Sequence, residues 1–221
     1  LLGTDSVILT YLIRNDAVTF ILILYIVFIL LTVSAIYAYS KYRKVAETYL
    51  GWLILFLIAV GLWMFTGVKI VSIITEEPFL TNYCSYMLLM SIPCFFAMYT
   101  YNRCTEWNTE WLKKLAWIGV ANIAIQNLFY VFNVFSLYDM MSATQLILMG
   151  SVTVCVYTFY RDSRERDSKR VFSNMFTFLF ALVATVTCLV IYWKSKSENY
   201  ILLIEILIVF FLLETLFTVI F

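Results

Sequence analysis

Apolar residues run along the chain in seven long stretches, and short polar hinges divide them. The stretches fall at about residues 17–40, 48–75, 80–101, 115–135, 142–160, 171–193 and 200–221. Each approaches or exceeds the ~20 helical residues that cross a bilayer core. None alternates with the period of two that a barrel strand requires. In lipid every backbone N–H and C=O must be paired inside the protein, so such runs predict helices. The pattern therefore predicts an all-α, polytopic seven-transmembrane-helix bundle over residues 17–221. Residues 1–16 read as an extracytoplasmic lead-in, where Thr4, Asp5 and Ser6 cap a short surface helix ending at Ile13.

The hinges carry an orientation. Lys41, Arg43, Lys44, Arg103, Lys113, Lys114, Arg161, Arg164, Arg166, Lys169 and Arg170 fall on the first, third and fifth hinges. Only Arg14, Lys69, Lys194 and Lys196 fall on the other side. Cytoplasmic loops retain Lys and Arg, so the lead-in is expected outside and the C-terminal end inside. Trp52, Trp107, Trp111, Trp117 and Trp193 lie near span ends, where an indole ring is buried while its N–H stays wet. Trp63 lies within its span.

Composition narrows the chemistry. The chain is 63% hydrophobic and 13% charged, about half the charge of a soluble domain. The bilayer is thus its expected partner, and little remains for a separate soluble or catalytic domain. A net charge of +1 offers no basic face for nucleic acid. Histidine is absent, which removes His-ligated zinc, Ser-His hydrolysis and His-dependent acyl transfer. No cofactor motif is present, and no enzymatic activity is expected of this stretch. Cys84, Cys94, Cys104, Cys155 and Cys188 form no CxxC pair and read as packed thiols. The first residue is Leu1 and the last lies in an apolar run, so the chain is expected to be a piece of a longer protein.

Few residues interrupt the apolar runs. Asn122, Gln126 and Asn133 share one helical stripe in the fourth span, with Phe129 between them. Their amides suit either a ligand-lining face or bonds between helices. Glu205 and Glu214 in the seventh span are nine residues apart and face opposite sides, so they cannot act as a carboxylate pair. Carboxyls at such depth are ionised at high cost and are paired, neutral or near a surface. The hinge Arg161–Arg170 mixes five bases with three acids and reads as a topology signal able to touch anionic lipid. Lys69 is expected to reach the outer headgroups. Glu76-Glu77 resembles the paired glutamates of membrane proteases, but the arginine that motif needs shortly afterwards is missing.

Three known seven-helix plans share this orientation. Retinal proteins require a lysine in mid-span seven, and none is there. The G-protein-coupled receptor signature is also missing: span three ends Tyr101-Asn102-Arg103, and span seven has no proline. The third plan fits better. Leu1–Ser6 resembles the junction from an extracytoplasmic domain into a first span. Tyr49-Leu50-Gly51 with Trp63 resembles a second span, and Met87-Leu88-Leu89-Met90-Ser91-Ile92-Pro93 a third. With the polar break near Asp139, these pieces resemble the seven-helix sensory region of bacterial receptors with diverse intracellular signalling modules, especially those joined to diguanylate cyclases.

The resemblance implies a sensory and transmission module of the bacterial inner membrane. A ligand-sensing domain would precede Leu1, and a diguanylate cyclase or histidine kinase would follow Phe221. It further implies a homodimer through the output domain and an unidentified small ligand, with signalling by a shift of span seven. The alternative is a small transporter or channel lined by Asn122, Gln126, Glu205 and Glu214. Scarce glycine and proline, and the lack of an internal repeat, argue against it.

Overall fold

The computed structural model describes residues 2–43, 48–68, 71, 77–104 and 109–165. Within them the fold is all-helical. Five helices follow in order: α1 (Leu2–Tyr42), α2 (Thr48–Gly67), α3 (Pro78–Arg103), α4 (Glu110–Val131) and α5 (Leu137–Glu165). The sixth and seventh predicted spans, with Glu205, Glu214 and Cys188, lie outside the described residues, as do Lys69, Trp107 and Trp193.

α1 corrects the reading of the lead-in. It runs unbroken over 41 residues, because no glycine or proline occurs between Thr4 and Leu50 to end a first short helix. At 1.5 Å per residue it is about 60 Å long, roughly twice a bilayer core. Its membrane-length apolar part is Thr19–Tyr42. The lead-in therefore continues this helix instead of forming a separate one that stops at Ile13.

α2 also departs from expectation, ending at Gly67 and not near Thr75. Glycine is the weakest helix former after proline. One residue earlier, the Thr66 hydroxyl donates to the Trp63 carbonyl at 2.9 Å. Pro78 then opens α3 at its first position, where its missing N–H costs nothing. Pro93 lies inside α3 and leaves the Leu89 carbonyl without its usual donor.

The turn between α4 and α5 is built from two caps. Asn133 adopts φ 54°, the left-handed conformation that asparagine tolerates better than most residues. The Asn133 N–H donates to the Tyr130 carbonyl at 3.0 Å, and the Val134 N–H to the Phe129 carbonyl at 2.9 Å. This bond pair is a Schellman ending. Three residues on, Ser136 caps α5. Its hydroxyl donates to Asp139 Oδ2 at 2.6 Å, its N–H reaches the same oxygen at 3.2 Å, and the Asp139 N–H donates back to Ser136 Oγ at 3.3 Å. That reciprocal bonding forms a capping box. Asp139 thus sits in the first turn of α5, so the polar break near it is a helix start.

α3 is the hub, packing on α2, α4 and α5, while α1 packs on α2. The α2–α3 contact is apolar, built from Leu53, Phe56, Leu57 and Val60 of α2 with Ile92, Phe96 and Ala97 of α3. Phe56 and Phe96 meet with ring centroids 5.5 Å apart. Small residues admit neighbours, as is usual between membrane helices. A Cβ on Gly61 would touch Ile26 of α1, and one on Gly119 of α4 would collide with the Cys94 sulfur of α3.

Among the described residues, four helices are long and apolar enough to cross a membrane: Thr19–Tyr42, Thr48–Gly67, Phe79–Arg103 and Asp139–Asp162. The outward side of α1 fits that solvent, with Ile21, Leu24, Phe28 and Leu31 all exposed. α4 has sufficient length at 22 residues but is not among the four. Its apolar character is diluted by Asn122, Gln126 and Asn127.

Candidate functional site

The three side-chain amides of α4 gather a polar cluster inside the bundle. Tyr86 of α3 donates its phenolic proton to Gln126 Oε1 at 2.5 Å. The hydroxyl of Thr144 on α5 lies 3.0 Å from the Tyr86 oxygen and 3.3 Å from Gln126 Oε1. Gln126 Nε2 donates to Asn122 Oδ1 at 2.9 Å, one turn back on α4. Gln126 is 3% exposed and Thr144 2%, so water does not compete for these bonds. Interhelical hydrogen bonds in membranes contribute about 0.6–2 kcal/mol each. One amide thus ties α3, α4 and α5 together.

A second knot lies beside the first. Tyr83 of α3 donates to Asn127 Oδ1 at 2.6 Å. Asn127 Nδ2 donates to the Ile123 carbonyl at 2.8 Å and to the Met87 sulfur at 3.2 Å. The Tyr130 ring packs over Tyr83 at 5.9 Å and stacks on Phe79 at 6.3 Å. Position sets the geometry: Tyr83, Tyr86 and Met87 share a face of α3 at helical spacing, as do Asn122, Gln126 and Tyr130 on α4.

The predicted polar stripe is therefore half assembled. Asn122 and Gln126 meet, but Asn133 does not join them, because α4 ends at Val131. Asn133 is exposed in the turn and serves as a helix terminator. Glu205 and Glu214 lie outside the described residues. Asn127, Tyr83, Tyr86 and Thr144 were missed. Asn127 directly follows Gln126, and Tyr83 and Tyr86 are i, i+3 neighbours in an apolar span; both were legible signals.

The opposite end of the bundle is different. There Arg103 sits over the Tyr49 ring at 4.8 Å, the Thr48 hydroxyl donates to Asn102 at 3.2 Å, and the Tyr101 phenol donates to Glu110 at 3.2 Å. These contacts tie the ends of α2, α3 and α4 together. Asp162, in the last turns of α5, is 5% exposed. Cys84, Cys94, Cys104 and Cys155 are free thiols, the last three buried. Among the described residues no group of His, Cys, Asp and Glu is placed to hold a metal ion.

What the arrangement offers is hydrogen bonding by amide, phenol and hydroxyl groups at a three-helix junction. The class so defined is an all-helical membrane protein with a buried polar node. No family model matches the chain, and no curated protein or solved structure matches it either.

Proposed function

We propose that the chain is the sensory and transmission module of a bacterial inner-membrane receptor. In this reading seven helices cross the membrane, with residues before α1 outside and the end of span seven in the cytoplasm. A signal arriving from the extracytoplasmic side or from the membrane passes to a C-terminal output domain, a diguanylate cyclase in the first instance and a histidine kinase in the second. Chemistry belongs to that output domain, which also brings two copies together. The basic hinges support the orientation. The resemblance of the junction at Leu1–Ser6 and of spans two and three to the sensory receptors supports the role.

The observation that carries the reading is the Tyr86–Gln126–Thr144 node. Buried hydrogen bonds shared by three helices couple the position of each to the other two, which is what transmission through a bundle requires. Gln126→Leu removes the node while preserving bulk. In cells carrying the full-length protein, this substitution should shift the intracellular cyclic dinucleotide level at unchanged membrane abundance. An unchanged level across stimuli, together with solute uptake by the purified chain in proteoliposomes, would replace this reading with transport.

A further inference from the structure

α5 differs from the other helices in what it turns inward. The buried face of α2 is Leu50, Leu53, Phe56, Leu57, Ala59, Val60 and Met64. The buried face of α5 includes Thr144, Gln145, Ser151, Cys155, Thr158 and Asp162. Thr144, Ser151, Cys155, Thr158 and Asp162 recur at spacings of seven, four, three and four, a single stripe of the helix. α5 packs on α3 and, more lightly, on α4. Across the seam Thr100 of α3 is fully buried beside the Cys155 thiol. The Tyr99 and Phe159 rings meet close by, with centroids 6.3 Å apart.

Three hydroxyls of this seam have partners on their own helices. Thr144 Oγ1 lies 3.5 Å from the Met140 carbonyl. Thr158 donates to Val154 at 2.9 Å, and Thr100 to Phe96 at 2.9 Å. Gln126 keeps its bond to Asn122. If α5 withdraws, these groups remain satisfied, so separation leaves few orphaned donors in hydrocarbon. Cys155 and Val156 belong to the same apolar core as α2 and α3, and that packing is what withdrawal gives up. Tyr86 is the exception in the seam. A phenol cannot bend back to its own helix carbonyls; its proton goes to Gln126 of α4, and the Thr144 hydroxyl ties the same phenol to α5.

We propose that α5 is a reversibly docked helix, pivoting at Tyr99–Phe159 and latched through Thr144 to Tyr86 and Gln126. The use of the motion in signalling rests on the receptor reading above; the docking itself does not. Since α5 leads toward the residues after Glu165, its movement would be passed on to the chain that follows.

The test uses thiols already present. Cys155 is fully buried in the seam, while Cys94 is buried beside Gly119 in the α3–α4 contact. The full chain in native membranes is treated with excess N-ethylmaleimide, and alkylation at each cysteine is followed by mass spectrometry. Thr144→Val, which cuts the latch from the α5 side and leaves the Tyr86–Gln126 bond between α3 and α4, should raise the Cys155 rate about threefold, the change that one interhelical hydrogen bond makes, and leave Cys94 unchanged. Thr144→Ala should do the same and serves if T144V does not fold. Equal rates at Cys155 in native and variant chains would overturn the proposal, as would a parallel rise at Cys94, which means general loosening. A selective Cys155 rise with unaltered cellular output would keep the docking and sink the receptor reading.

Discussion

Gln126 and Asn133 are both amides, seven residues apart, and on an endless helix they would project to nearly the same side. One joins three helices and the other ends a helix. The difference lies in the backbone between them: α4 stops at Val131, and Asn133 takes φ 54° to close its end. Asn133→Gly should therefore leave the melting temperature of the detergent-solubilised chain unchanged or slightly higher. Asn133→Val, which places a β-branched residue in the left-handed region, should cost about 1–3 kcal/mol and lower it. Equal melting of the two variants would show that the left-handed turn is not a constraint. A second residue-scale effect concerns Gly119, whose missing Cβ leaves room for the Cys94 sulfur. Gly119→Ala should cost about 1–3 kcal/mol through overpacking, and adding Cys94→Ala should recover part of it. Additive losses in the double variant would place the strain elsewhere.

At the scale of elements, the apolar runs located α3 closely and gave the middle of α4 and α5. Their ends depended on chemistry that hydropathy does not weigh. α5 begins five residues before the run at Ser142, because Ser136 and Asp139 cap each other. Ser136→Ala should thus cost about 1 kcal/mol and loosen the first turn of α5, seen as faster amide hydrogen exchange over residues 137–141. No change there would mean that lipid contacts, not the capping box, hold that turn. α1 merged with its lead-in because polar residues alone do not end a helix. The polar node was only partly legible: its amides stand out in the sequence, but their partners Tyr86 and Thr144 depend on how α3 and α5 are rotated. That rotation is set by packing, including the close approach at Gly119, and a single sequence does not display it.

At the scale of the whole molecule, the described helices define a membrane protein in which α3 is their hub, with an apolar α1–α2 side and a polar-seamed α5. The proposed role needs more than this arrangement, since transmission across a bilayer requires the two ends of the chain to face different compartments. Short epitope tags before Leu2 and after Phe221, probed with antibody on spheroplasts before and after permeabilisation, measure this directly. The account predicts that the N-terminal tag is bound in intact spheroplasts and the C-terminal tag only after permeabilisation. Both tags bound under the same condition would mean an even number of crossings and would contradict it.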